Sequence, residues 1–163
     1  MTENLIAIID VGKTNAKLAL VHASSGDAVW SVQRANCVIE GPTVRQLDVP
    51  GMERWLLDEL ANAPGKERIS TLVPVAHGAA AVLVDKSGKA LQAPDYEDPR
   101  FDQTRADYAR ERDDFASTFS PHLPNGQNLG AQLHFFESRH PAVFRDTARV
   151  LLLPQYLAWR FCG

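Results

Sequence analysis

Cysteine is scarce in this chain, and long apolar runs are absent. The two cysteines among 163 residues, Cys37 and Cys162, form no CxxC pair and have no histidine at ligand spacing. This argues against a disulfide framework and against a zinc site, so both are read as reduced thiols of a cytoplasmic protein. No stretch approaches the roughly 18 apolar residues that a membrane-spanning helix requires. The run 5–9 stops at Asp10, and the preceding Met1, Thr2, Glu3 and Asn4 lack the basic end of a signal peptide. A surplus of positive charge is missing too: 17 Lys and Arg face 20 Asp and Glu, for a net charge of −3. Nothing is left over to neutralise the phosphates of a nucleic acid or an anionic bilayer, and neither partner is expected.

What is present is ordinary globular material, 45% hydrophobic and 23% charged, with no low-complexity bias. A chain of this length buries roughly 70% of its unfolded surface, so its core needs no staple. One domain, or part of one, is expected over 1–163. Segment 5–11 is Ile-rich, bounded by Gly12, and predicts a buried strand. Alternation over 17–22 predicts a second, paired with the first as a hairpin, and 28–35 continues the meander. Pro50 opens a helix with Met52, Trp55, Leu56 and Leu60 toward a core, closed by Pro64-Gly65. Strands are predicted at 69–76 and 80–85, flanking His77-Gly78. The polar segment 94–124, punctuated by four prolines, reads as an excursion over a ligand face. A helix begins at Asn128 with Leu129, Leu133 and Phe136 on one side, followed by a strand at 149–153 and a last helix at 155–161. Strands, a helix, then strands again predict a mixed α/β sheet.

The most informative stretch is Asp10-Val11-Gly12-Lys13-Thr14-Asn15-Ala16-Lys17. A carboxylate at a strand end precedes a polar turn that can offer amides and a hydroxyl to a phosphate and its magnesium ion. Gly12-Lys13-Thr14 is not a P-loop, which requires glycine where Ala7 stands and a helix after the Lys-Thr pair. Asp, Gly and Asn also populate plain hairpin turns that bind nothing. His77 taken alone reads more readily as a hydrogen-bonded structural histidine than as a ligand contact. Asp95-Tyr96-Glu97-Asp98-Pro99-Arg100 is either a solvated acidic loop or a set of carboxylates and a guanidinium suited to vicinal hydroxyls. Trp30, Trp55, Trp159, Phe135 and Phe136 are expected in packing. His134 and His140, outside any HExxH register, are expected to be structural.

The segment from Ile8 to Lys17 resembles the first phosphate-binding motif of sugar kinases in the actin-like ATPase superfamily. Val75-Ala76-His77-Gly78 followed by Ala81-Val82-Leu83-Val84-Asp85 resembles the strand-loop-strand of FGGY-family carbohydrate kinases. Asn128-Leu129-Gly130-Ala131-Gln132-Leu133, leading to Glu137 and His140-Pro141, resembles that family's intervening helix. Leu151-Leu152-Leu153-Pro154-Gln155-Tyr156-Leu157, running on to Gly163, resembles its LLP.YL..RLTG segment. The matches are in order and span most of the chain. The departures are Ala76, where the family carries a longer polar residue, and Cys162 in place of Thr.

This resemblance implies an RNase H-like, actin-type α/β domain, a mixed sheet flanked by helices, forming the N-terminal lobe of a two-lobe kinase. It implies ATP and Mg2+ as cofactors and a sugar or polyol as substrate. Asp10 would serve the metal; Gly12, Lys13, Thr14, Asn15 and Lys17 the phosphates; His77, Gly78, Asp95, Tyr96 and Asp98 the sugar. No catalytic base is identified in the chain. The family's catalytic Asp, second phosphate loop and adenosine segment all lie beyond the matched region, so the chain is expected to lack the C-terminal nucleotide-binding lobe, to be inactive alone, and to self-associate, a homodimer included. The alternatives are a non-catalytic sugar-binding or interaction module and another actin-like phosphotransferase.

Overall fold

The computed structural model describes residues 3–163. In chain order its elements are β1 (Leu5–Val11), β2 (Asn15–His22), β3 (Ala28–Ala35), β4 (Val38–Ile39), β5 (Gln46–Leu47), α1 (Val49–Asn62), β6 (Ile69–Ala76), β7 (Ala81–Val84), β8 (Ala90–Gln92), α2 (Arg105–Glu111), α3 (Phe115–Thr118), α4 (Leu129–Arg139), α5 (Pro141–Asp146), β9 (Arg149–Leu152) and α6 (Leu153–Cys162). Short 3-10 segments at Lys66–Arg68 and Pro99–Thr104 precede β6 and α2. Two compact units result. The first takes the chain up to Cys37 with Asp48–His77 and Leu153–Gly163, the second Val38–Leu47 and Gly78–Leu152.

The first unit is built on a mixed four-stranded sheet in the order β3-β2-β1-β6, with β6 parallel to β1 and the other pairs antiparallel. Period-two alternation decides which face is covered. Leu5, Ala7, Ile9 and Val11 of β1 and Ala16, Leu18 and Leu20 of β2 are buried, whereas Asp10, Asn15 and Lys17 are exposed. Met52 and Leu56 of α1 and Leu153, Tyr156 and Leu157 of α6 complete this core. Each buried Leu contributes about 1.5–3 kcal/mol over an exposed one. Helix α1 begins where the Asp48 carboxylate accepts the Gly51 N–H at 2.9 Å, satisfying one of the donors a helix start leaves unpaired. Arg34 of β3 donates to the Gly51 carbonyl at 2.9 Å and ties strand to helix. Arg160 of α6 donates through two nitrogens to Glu53 of α1 at 3.2 and 3.3 Å. Burial, with Glu53 alongside, pushes the Tyr156 phenol up.

The second unit has the antiparallel sheet β8-β7-β9 and the small β4-β5 pair. All four residues of β7 are buried. Its core gathers Val44, Leu83, Phe101, Phe135 and Phe136, with Phe135 set edge-on to Phe101 and Phe136 at centroid distances of 5.0 and 5.7 Å, a favoured aromatic geometry.

Several expectations shift. The strands around His77-Gly78 belong to different sheets, because β6 lies parallel to β1 after the α1 crossover while β7 pairs antiparallel with β8 and β9. Helix α4 buries Ala131, Gln132, Phe135 and Phe136 rather than Leu129 and Leu133, which are half-buried. The pull comes from the Phe101 cluster. The segment 94–124 carries α2, α3 and a 3-10 segment, the last started by the Asp98 side chain, which accepts from the Arg100 amide, and α3 by the Asp114 side chain, which accepts from the Ser117 amide. Phe135 and Phe136 are core residues, and the three tryptophans are half-buried. Cys37 and Cys162 are free and exposed. Among the described residues no helix is long and apolar enough to cross a membrane.

Candidate functional site

In the first unit β1 and β6 run side by side and end together. Val11 pairs with Ala76, and Asp10 sits between Lys17 on β2 and Val75 on β6. The turn after β1 and His77 after β6 therefore both leave the carboxyl ends of adjacent parallel strands, where open α/β sheets place their ligands. Alternation puts Asp10 and Lys17 on the exposed face. The turn is closed by the Gly12 N–H donating to the Asn15 carbonyl at 2.9 Å. Asn36, just past β3, donates its backbone N–H to the Thr14 carbonyl and its side-chain Nδ2 to the Gly12 carbonyl, each at 2.8 Å. Asn15 Nδ2 donates to Thr14 Oγ1 at 3.3 Å. Neither the backbone nor space demands glycine at position 12, since its φ is ordinary and an added Cβ would sit 3.4 Å from the nearest atom.

Among the described residues there is no group of three or more His, Cys, Asp or Glu side chains fit to hold a metal ion. A magnesium ion needs none: it takes one or two carboxylates and completes its shell with water and substrate phosphate oxygens. The exposed carboxylate of Asp10, at the strand end beside the Gly12–Asn15 turn, fits that donor chemistry.

His77 is half-buried at the end of the first unit. Gly78, which opens the second, is exposed, and a Cβ there would meet nothing within 4 Å. The stretch following it is anchored. Gln132, fully buried, donates to the Ala79 carbonyl at 2.8 Å and to the Gly126 carbonyl at 2.6 Å, and the Gly126 N–H donates to the Tyr96 carbonyl at 2.8 Å.

The acidic stretch departs from the reading of free carboxylates over a ligand. Asp98 is 1% exposed. It accepts the backbone N–H of Arg45 at 2.7 Å, the N–H of Arg100 at 2.9 Å, and Arg100 Nε and Nη2 at 2.9 and 2.6 Å. Two carboxylate oxygens have about four lone-pair sites, so none remains for a sugar hydroxyl. Burial works to raise this carboxyl, and the Arg100 and Arg45 donors overcome it and hold it below the ordinary carboxylate range. Asp95, also buried, pairs with Arg45 at 3.1 Å and accepts the Glu97 N–H. Both acids brace the loop against the 38–47 segment. Tyr96, between them, is half-buried.

Sequence reasoning missed Asn36, Arg45 and Gln132. Asn36 and Arg45 carry no local signal, since their partners lie 24 and 53 residues away. Gln132 had one: a polar residue on the apolar stripe of α4, whose amide nitrogen is met by two backbone carbonyls.

No family model matches the sequence, and no curated protein matches it. Solved structures do. A carbohydrate kinase from Novosphingobium aromaticivorans is 35% identical with a TM-score of 0.88, over 98% of this chain and 33% of that one. A xylulose kinase from Rhodospirillum rubrum is 24% identical with a TM-score of 0.74, over 94% and 33%. The ADP complex of Plasmodium falciparum glycerol kinase is 13% identical with a TM-score of 0.73, over 96% and 34%. The chain thus spans about a third of the length of these structures. Its mixed α/β architecture is that of the N-terminal domain of sugar kinases, and its structural neighbours are carbohydrate kinases of the FGGY type.

Proposed function

We propose that the chain is the sugar-side and phosphate-binding part of an enzyme that transfers the γ-phosphoryl group of ATP to a hydroxyl of a sugar or polyol. The observation that carries this reading is the shared end of β1 and β6, with the Asp10–Lys17 pair, the amide-rich turn and His77 at one edge of one sheet. Phosphoryl transfer asks a protein mainly for positioning and charge neutralisation. Asp10 would hold Mg2+, which when bound neutralises charge on the phosphates. Thr14 and Asn15 would receive phosphate oxygens through N–H groups and a hydroxyl, Gly12, whose N–H closes the turn on the Asn15 carbonyl, would leave room for their approach, and Lys13 and Lys17 add positive charge. His77 offers a ring nitrogen to a sugar hydroxyl. In the second unit Gly78 and Tyr96 are assigned to the sugar, with Asp95 and Asp98 as braces rather than contacts.

The test uses the longer enzyme of which this chain would be the N-terminal part, assayed for ADP release over a panel of ketoses, aldoses and polyols. Asp10→Asn lowers kcat far more than it raises the sugar KM. His77→Ala does the reverse, by about fivefold or more in KM, the equivalent of about 1 kcal/mol for one hydrogen bond. Unchanged kinetics in both variants would overturn the assignment. The 163-residue chain alone is expected to give no sugar-dependent turnover, and robust turnover by it would place the catalytic groups here.

A further inference from the structure

The Gly12–Asn15 turn could fold in several ways, and what selects one is Asn36. Every peptide bond among the described residues is trans. In a planar trans peptide the C=O of one residue and the N–H of the next point in opposite directions. Asn36 Nδ2 pins the Gly12 carbonyl at 2.8 Å, which turns the Lys13 N–H to the opposite side of the turn. The Asn36 backbone N–H pins the Thr14 carbonyl at 2.8 Å, which does the same for the Asn15 N–H. A carbonyl facing a phosphate would repel it, whereas N–H groups converging on one side make an anion-binding concavity. The amide orientation of Asn36 follows from its partner, because only the NH2 end can approach a carbonyl oxygen at that distance.

We infer that Asn36 is a positioning residue for phosphate: its side chain fixes the Gly12–Lys13 peptide so that the Lys13 N–H is presented to a phosphate oxygen. This rests on the reading of the turn as a phosphate site. The design has an internal control, because the bond to Thr14 comes from the Asn36 backbone and survives side-chain substitution. Asn36→Ala releases the Lys13 amide alone. Asn36→Asp keeps the shape but sets a carboxylate oxygen against the Gly12 carbonyl, and so reverses the peptide's preference.

The experiment is an amide chemical-shift titration of the isotopically labelled 163-residue chain with Mg-ATP. In the wild type the Lys13 and Asn15 amides shift and saturate. In Asn36→Ala the apparent Kd rises at least fivefold and the Lys13 amide shift at saturation falls by at least half, while the Asn15 amide still shifts and spectral dispersion is retained. Asn36→Asp weakens Mg-ATP further. A wild-type titration with Asn36→Ala within twofold of it would overturn the role of Asn36 and leave the phosphate turn standing. No shift at 12–15 in the wild type would overturn the phosphate turn, and Asn36 positioning with it.

Discussion

The Asp98 cluster yields a prediction whose size follows from its geometry. Asp98→Asn keeps the shape of the side chain, removes one acceptor oxygen and cancels the charge that faces Arg100 and Arg45. Removing one partner of a fully buried ion pair costs about 3–5 kcal/mol. Here the carboxylate is buried, but the Arg100 and Arg45 side chains keep 35% and 37% of their exposure, so solvent screens part of the loss. The expected cost is about 2–3 kcal/mol at neutral pH. With a urea m-value of about 1–3 kcal/mol per molar, the denaturation midpoint falls by roughly 0.7–3 M.

The pH dependence supplies an independent reading of the same variant. An unfolded Asp titrates near about 3.9, and the native carboxyl of Asp98 lies lower. The stabilisation is therefore present in full above about pH 5 and disappears as pH drops through the folded-state value. The gap between wild type and Asp98→Asn should be widest at pH 7 and close progressively below pH 4. Urea denaturation followed by far-ultraviolet circular dichroism between pH 7 and pH 3 measures both quantities. A gap below about 0.5 kcal/mol at pH 7, well under the expected loss, or one that does not narrow in acid, would refute the view that Asp98 braces the loop through its charge.

Two further substitutions separate reasons of fold from reasons of ligand. In Gly51→Ala the new Cβ would fall 1.9 Å from Oδ2 of Asp48 and 2.8 Å from its capping oxygen Oδ1, so the α1 cap must open. A loss of about 1–2 kcal/mol, or roughly 2–8 °C in Tm, is expected by calorimetry, and an unchanged Tm would show that the cap contributes nothing. Gly12→Ala meets only an ordinary contact at 3.4 Å, so its Tm should stay within about 1 °C, a shift of about half a kcal/mol or less for a chain of this size. Its Mg-ATP titration should nonetheless weaken, because a methyl group crowds the approach to the turn. A large drop in Tm would mean that the glycine serves the hairpin.

The elements that sequence alone determined are those with strong local periodicity. The Ile-rich run 5–11 and the segments 28–35 and 69–76 marked β1, β3 and β6 to the residue, and the helix opening near Pro50 and closing before Pro64 is α1. The turn proposed for phosphate stands out in the sequence because carboxylate, glycine, hydroxyl and amide fall within six consecutive residues. Tertiary structure alone decided the rest. The separation of the His77-Gly78 strands into two sheets depends on which strand β6 lies beside, and no local pattern encodes a partner sixty residues away. The fate of Asp95 and Asp98 was likewise undetermined: the same carboxylates would be solvated on an open loop, and they became buried braces only because the 38–47 segment brought Arg45 against them. Asn36 is the sharpest case, a polar residue at a strand end with no sequence signature, whose effect on Gly12 arises only when the β2-β3 hairpin sets it against a turn 24 residues earlier. Periodicity is short-range and survives in one dimension, whereas hydrogen-bond partnership across a sheet is a property of register and exists only once the chain has folded.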